Sequence, residues 1–371
     1  MPLYLTDDQA MLRETARSFM AEEGAIAKQL RHWRDFGCKD GFGHALWKQF
    51  GELGFTGILI GEDEGGLGLG HVEAGIVLEE IGRNLTPSPF LVTAVAAVEA
   101  LRGTPHAARW YPGILAGETV AAVAVDEGPK HRPDAIAMTA ERAGNGFRLS
   151  GAKQFVVQGV SADLILVAAR AEEGLTLFAV EKGASGLDIE GVRLADSSIG
   201  ARMTFDGVEV DSDAVIGEVG QGEAVLGRVL NAAGAGASSE LVGVASGAMD
   251  MTVDYLKQRK QFGRLIGEFQ ALQHRAAHLY SELEIARAAV LKAQQLLDEG
   301  DAQAEAMVSV AKAKAGRTAT LAVQEGVQMH GGIGMTDEYD IGLYMKRDRV
   351  LNELFGDANY HADRYARLMG Y

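Results

Sequence analysis

The period of the hydrophobic pattern changes twice along the chain, and these two changes constrain the fold more than any other feature. Near the start, apolar residues recur at helical spacing, so that Leu12, Ala16 and Phe19 share one face. In the middle the period becomes two, and Gly, Asp and Ser divide short apolar runs such as TVAAVAV and DLILVAAR. The remainder is helical again. We therefore predict a mainly α protein with a central β domain, divided into a helical domain over residues 1–117, a β domain over 118–217 and a helical bundle over 218–371.

Composition limits the class of protein. The 371 residues suffice for a large core and more than one domain. No run of 18 apolar residues occurs, so no membrane span is expected, and the acidic N-terminal stretch lacks the pattern of a signal peptide. Cys38 is the only cysteine, which favours a reducing cytoplasm. The net charge of −16 argues against nucleic-acid binding, although a local cationic pocket remains compatible with an anionic ligand.

The first motif is the stretch RKQFGRLIGEFQ, residues 259–270. Gly263 and Gly267 break the helical pattern, which predicts a turn between two long helices. Arg259 then lies at the end of the first helix and Gln270 at the start of the second. Such a turn can direct a guanidinium and an amide at one ligand, and the planar fork of Arg suits phosphate. A helix hairpin with a solvated Arg is the alternative.

The second motif is QMHGGIGMTDEYDIGLYMKRD, residues 328–348. Gly331 follows a helical pattern, where a C-cap requires a left-handed residue. A plain helix stop needs one glycine, and the second, Gly332, would let a ligand approach the backbone closely. Glycine pairs are common, so this motif alone leaves both interpretations open.

In this order and architecture, the two motifs resemble those of the acyl-CoA dehydrogenase family. The stretches LGFTGILIGEDEGGLGLGHVEAGIVLEEIGR and GAKQFVVQG are similar to its N-terminal and central domains, so the resemblance covers essentially the whole chain. It implies an FAD flavoprotein that oxidises an acyl-CoA thioester to the 2-enoyl-CoA, with electron-transferring flavoprotein as the acceptor. It also implies a C-terminal four-helix bundle and an assembly of two dimers.

The resemblance further implies that the two motifs hold the ADP half of the FAD of a neighbouring subunit. The residues matched to this role are Arg259, Gln261, Phe262, Gln270, Gln328, Gly331 and Gly332.

The sequence departs from the family where a catalytic base is expected. The usual base is a Glu soon after an Arg-Asp pair, which Arg347 and Asp348 match; here Phe355 takes the aromatic place and Gly356 the place of the Glu. Glycine has no titratable group. At the alternative family position, on the first C-terminal helix, the chain has Ala233 and Gly234, which indicate helix packing. We therefore predict no catalytic residue in this chain.

The part of the β domain that meets the flavin ring in the family is altered as well. Its Thr-Glu-Pro and Gly-Ser-Asp pattern is replaced by DEGPKHRPD, with Asp126 at the Thr place. Its Trp-Ile-Thr is replaced by Phe155, Val156 and Val157. Valine fills the space of Thr but cannot hydrogen-bond to a flavin edge.

Because the losses fall on one half of the site, the chain resembles one subunit of the heteromeric α2β2 acyl-CoA dehydrogenases, which act on bulky CoA esters such as steroid side chains. A homologous second chain would then supply the base. Two alternatives remain: a homo-oligomeric enzyme with a relocated base, Asp357 or Glu240, and a scaffold without flavin. The structural interpretations of these acids are a helix N-cap and a salt-bridge acid. His274 and His278 have the spacing of metal ligands, but no third ligand is near in sequence, and no metal site is predicted.

Overall fold

The computed structural model describes residues 3–371, and its order of elements is helices, then strands, then helices. The helices are α1 (Asp7–Glu22), α2 (His32–Phe36), α3 (His44–Glu52), α4 (His71–Asn84), α5 (Val98–Leu101), α6 (His106–Leu115), α7 (Gly222–Gln258), α8 (Gln270–Asp298), α9 (Ala304–His330), α10 (Ile341–Glu353) and α11 (Ala358–Leu368). The strands are β1 (Ala121–Ala124), β2 (Thr139–Ala143), β3 (Gly146–Val157), β4 (Leu164–Ala171), β5 (Gly174–Glu181), β6 (Leu187–Arg193), β7 (Ile199–Asp211), β8 (Val215–Ile216), β9 (Lys260–Gln261) and β10 (Arg264–Leu265). The predicted mainly α class with a central β domain is confirmed.

Backbone contacts divide the chain into two compact units, each built from separated segments. The helical unit comprises the chain up to His32, His71–Thr86 and Gly234–Tyr371, and the sheet unit comprises Trp33–Gly70 and Pro87–Ala233. Helix α7 contributes its first turns to the sheet unit and the rest to the helical unit. The division into three sequence domains stays a prediction.

Small residues let the helices of the helical unit pack at close range. A Cβ on Gly243 of α7 would lie 2.0 Å from the carbonyl oxygen of Glu79 on α4, and one on Gly247 would lie 2.5 Å from that of Arg83. In α9, Ala311, Ala315 and Ala319 repeat every four residues and are fully buried. The alanine and glycine positions therefore define the buried faces of these helices.

The sheet unit contains one mixed sheet with the strand order β6-β7-β3-β2-β4-β5-β8, and β1 pairs in parallel with β4. Residues Leu164 to Ala169 of β4 are all buried, as expected for a strand covered on both faces. The long strands β3 and β7 pair antiparallel, with an irregularity between Lys153 and Val156. In this bulge Phe155 has a φ of 54°, and its side chain is largely exposed.

Over residues 3–371, none of the helices is both long and apolar enough to cross a membrane.

Candidate functional site

An aromatic stack in the helical unit brings the two sequence motifs together. Tyr255 lies one turn before Arg259, whose amide donates to the Tyr255 carbonyl at 2.9 Å. His330 is the last residue of α9 and directly precedes Gly331. Its imidazole stacks on the Tyr255 ring with 4.4 Å between centroids and 28° between planes. Segments that are far apart in sequence therefore meet at one place.

The Arg259 motif forms the predicted turn between two long helices. Helix α7 ends at Gln258, α8 begins at Gln270, and the β9–β10 hairpin lies between them. Phe262 at its tip has a φ of 53°, unusual for a bulky residue, and its side chain is 90% exposed. Phe269 meets the Phe262 ring edge-on at 6.2 Å, and the Arg264 guanidinium lies 4.0 Å over Phe269. The hairpin thus presents an aromatic ring that its own chain does not bury.

The glycine pair lies beside open space at the end of α9. Gly331 caps α9 at φ 65° and ψ −142°, a conformation that essentially only glycine adopts, so the predicted C-cap is confirmed. A Cβ on Gly332 would meet no atom of residues 3–371 within 4 Å. The packing of the described chain therefore does not explain the second glycine, whereas the close approach of a ligand to the backbone would.

The residues predicted from the family resemblance share one property, which is exposure on the helical unit. Exposed are Arg259, Gln261, Phe262, Gln270, Gln328, Gly331 and Gly332. They offer a planar cation, amides, an aromatic ring and an open backbone, and these groups suit phosphate and a heteroaromatic base. The chemistry of these residues therefore fits the ADP half of FAD.

Gly356, which the family resemblance matches to the position of a base, lies in a tight turn between α10 and α11. Phe355 has a φ of 57° and Gly356 a φ of 99°. A Cβ on Gly356 would lie 2.3 Å from Cδ1 of Tyr360, which is closer than Cβ atoms approach other heavy atoms in protein structures. A side chain fits at this position only if the Tyr360 ring moves, so the turn is built around glycine.

A buried lysine on α9 donates hydrogen bonds to this turn. This residue was not identified from the sequence alone. Lys312 of α9 is fully buried, and its Nζ donates to the carbonyl oxygens of Leu351 (3.0 Å), Asn352 (3.3 Å) and Gly356 (2.9 Å). His361 Nε2 donates to the Phe355 carbonyl at 3.0 Å. Burial lowers the pKa of Lys312 to about 7. The sequence feature that could have identified Lys312 is its position next to the regularly spaced, buried alanines of α9.

Asp357 acts as the N-cap of α11. Its Oδ1 accepts from the amides of Asn359 (3.0 Å) and Tyr360 (2.8 Å). The structural interpretation of this acid as an N-cap is confirmed, and the capping bonds engage one of the two oxygens of its carboxylate.

Two substitutions of Asp357 distinguish its role as a helix cap from a role as a catalytic base. Because Asn caps helices about as well as Asp, Asp357→Asn should change the free energy of unfolding by less than about 0.5 kcal/mol, whereas Asp357→Ala should lose about 1 kcal/mol. Urea unfolding measures both. Loss of acyl-CoA oxidation in a fully stable Asp357→Asn protein would instead identify a base.

Glu240 is a buried salt-bridge acid, as its structural interpretation predicted. It is 2% exposed, and its Oε1 accepts from Nε (2.9 Å) and Nη2 (2.5 Å) of Arg347. Ala233 and Gly234, at the alternative base position, are both buried, and a Cβ on Gly234 would meet a methyl group of Val308 at 3.2 Å. The helix-packing interpretation of this stretch is therefore confirmed.

In the sheet unit, side chains of the stretch DEGPKHRPD, residues 126–134, make hydrogen bonds within and beside their own loop. Asp126 Oδ1 lies 2.9 Å from His131 Nδ1 and accepts from the Arg132 amide at 3.2 Å. Beside it, the fully buried Lys153 donates to Glu127 Oε1 at 2.7 Å. Burial lowers the pKa of Lys153, and this carboxylate opposes the effect. The acid that replaces the family Thr thus makes internal contacts.

The segment that replaces Trp-Ile-Thr lies at the end of β3. Phe155 is 48% exposed, Val156 is buried, and Val157 pairs with Gly200 of β7. The side chains of these three residues are all hydrocarbon, so only their backbone can hydrogen-bond to a ligand.

His274 and His278 lie exposed on α8. Among residues 3–371 there is no group of three or more His, Cys, Asp or Glu side chains that could hold a metal ion.

Two family models match the chain: the acyl-CoA dehydrogenase N-terminal domain over residues 6–118 and the C-terminal domain over residues 220–370. The mitochondrial isovaleryl-CoA dehydrogenase of Solanum tuberosum is 32% identical over 327 residues, covering 83% of this chain and 78% of the relative. Acyl-CoA dehydrogenase FadE12 of Mycobacterium tuberculosis is 31% identical and covers 93% and 91%.

Solved structures of similar fold cover almost the whole chain. A structure of a single-substitution variant of the Tcur3481-Tcur3483 steroid ACAD is 30% identical, covers 98% of both chains and superposes with a TM-score of 0.90. The ChsE4-ChsE5 complex from Mycobacterium tuberculosis has a TM-score of 0.92 with complete coverage of both chains, but at 24% identity it shows the fold alone.

Proposed function

Because the chain belongs to the acyl-CoA dehydrogenase family, we propose that it is the non-catalytic subunit of a heteromeric acyl-CoA dehydrogenase. It supplies the ADP-binding half of an FAD site to a homologous partner, which contributes the base. The observation that carries this proposal is the turn at Gly356, where a Cβ would lie 2.3 Å from the Tyr360 ring. The expected place of the base is occupied by a well-bonded turn, whereas the surface for the ADP half is open.

The residues of this chain hold the nucleotide by position and charge. Arg259 pairs with a phosphate, Gln261 and Gln328 hydrogen-bond to polar edges, and Phe262 covers an apolar face. Gly332 lets the ligand reach the backbone. FAD, when bound, supplies the acceptor for the hydride that leaves the β carbon of an acyl-CoA thioester.

The partner and the substrate class are supported by the relatives. The similar structure at 30% identity is named Tcur3481-Tcur3483 steroid ACAD, a name that joins two chain designations and the word steroid. We propose an α2β2 assembly of homologous chains that acts on a bulky CoA ester and passes electrons to electron-transferring flavoprotein.

Substitution of the phosphate ligand tests the proposal. The tagged chain would be purified from its own cells, and partners would be identified by mass. In the isolated complex, Arg259→Ala should weaken FAD binding by roughly tenfold or more, because a hydrogen bond to a charged group contributes about 1.5–3 kcal/mol. Arg275→Ala is the matched control, because Arg275 lies on α8 and pairs with Glu325, and it should leave the Kd unchanged. Unchanged FAD affinity in Arg259→Ala would contradict the proposal.

A further inference from the structure

We propose that the stack of Tyr255, His330 and Tyr339 is a positioning device that fixes the Arg259 hairpin against the Gly331–Gly332 pair. The inference rests on the proposed function, because it concerns the same FAD site. The three rings are buried or half-buried, unlike the exposed residues that would touch the nucleotide. They act through those residues.

The three rings contact one another pairwise and come from three separate segments. His330 stacks on Tyr255 at 4.4 Å and lies 4.8 Å from Tyr339 at an angle of 50°. Tyr255 and Tyr339 meet edge-on at 5.9 Å. Tyr255 belongs to α7, His330 to α9, and Tyr339 to the loop before α10. Both stacked and edge-on geometries are favourable for aromatic rings, so the cluster ties the ends of these segments together.

The imidazole of His330 is held in one orientation. Its Nδ1 lies 2.6 Å from the Gly326 carbonyl oxygen, and because a carbonyl only accepts, Nδ1 carries the hydrogen. Nε2 is buried and has no hydrogen-bond partner among residues 3–371. Burial also lowers the pKa of His330, which favours the neutral ring. The residue thus serves as a flat neutral ring locked to the last turn of its own helix.

The backbone transmits the position of the stack to the hairpin. The Tyr255 carbonyl accepts from the Arg259 amide, and the Arg259 carbonyl accepts from the Ile266 amide at 2.8 Å. On the other side, His330 is directly followed by Gly331. A displacement of either ring therefore changes the distance between the phosphate ligand Arg259 and the open backbone at the glycine pair. Support of this kind determines how well a binding site is preorganised.

Substitutions of His330 test the inference with two readouts. FAD would be titrated into the complex after removal of bound flavin, and hydrogen exchange would be measured on the purified chain. His330→Leu should raise the Kd for FAD roughly fivefold or more, because it removes two of the three aromatic pairs, those with Tyr255 and Tyr339. It should also speed exchange of the Arg259 and Ile266 amides. His330→Phe keeps the flat ring but loses the Nδ1 hydrogen bond to Gly326, so both values should lie closer to the original than those of His330→Leu.

The exposed residue His278 provides the matched control, since His278→Leu should change neither value. Unchanged exchange or unchanged FAD affinity in His330→Leu would overturn the inference, as would a His330→Phe protein that behaves like His330→Leu. Arg259→Ala separates the two proposals. If it weakens FAD binding while His330→Leu does not, the positioning role fails and the proposed function stands. If Arg259→Ala has no effect, the proposed function fails, and the exchange data alone decide whether the stack holds the hairpin.

Discussion

Restoring the family residue by Gly356→Glu is expected to produce no acyl-CoA oxidation and to lower the free energy of unfolding by about 3 kcal/mol. A side chain at φ 99° is strained, and its Cβ would lie 2.3 Å from the Tyr360 ring. The turn would have to open, which would disturb the Lys312 and His361 bonds to the carbonyls of Gly356 and Phe355. Thermal and urea unfolding measure the loss, and turnover with an acyl-CoA and an electron-transfer dye measures activity.

The control for this substitution is Gly342→Ala. Gly342 lies in α10, where a Cβ would meet its nearest atom at 3.7 Å, an ordinary contact. Because Ala is a better helix former than Gly, this variant should be neutral or slightly more stable. A folded Gly356→Glu protein that oxidises an acyl-CoA without a partner would show that only the side chain was missing.

Replacement of the buried lysine is expected to have a comparable effect. At pH 6, below the pKa of about 7 to which burial lowers it, the Lys312 ammonium has three N–H donors for three carbonyl oxygens. Lys312→Met keeps the apolar stem and removes every donor. Unsatisfied buried acceptors cost about 1–3 kcal/mol each. The lowered pKa means that the buried ammonium itself costs the native state stability at pH 6, and Lys312→Met removes that cost. We therefore expect a net loss of about 1–3 kcal/mol in the free energy of unfolding at pH 6, measured by urea titration.

Lys314→Met is the matched control, two residues further along α9. Lys314 is 25% exposed and pairs with Glu282 at the surface. Such a pair contributes about 0–1 kcal/mol, so its loss should be small. Equal effects of the two substitutions would mean that the carbonyl contacts of Lys312 do not hold the turn.

The fold class and the helix breaks within the two motifs could be predicted because they depend on local patterns. Hydrophobic periods of 3.6 and 2 follow from the geometry of helix and strand, and the glycines in residues 259–270 and 328–348 mark breaks in those periods. The N-cap role of Asp357 also follows from local chemistry, since the two amides that donate to its carboxylate lie within three residues of it.

Contacts between distant residues were not predictable in this way. Lys312 and Gly356 are 44 residues apart in sequence, and the pairing of Tyr255 with His330 joins different helices. A sequence records which groups need partners but not which partners the packing brings near. The strain at Gly356 was likewise hidden, because a glycine in a turn can reflect flexibility, an open site or a required positive φ.

The most direct test of the central claim is the number of FAD molecules per chain in the purified complex. The proposed subunit role predicts half as many FAD molecules as chains, with each flavin held between this chain and a homologous partner that carries the base. A homo-oligomer of this chain alone that contains as many FAD molecules as chains, and that oxidises an acyl-CoA, would contradict it.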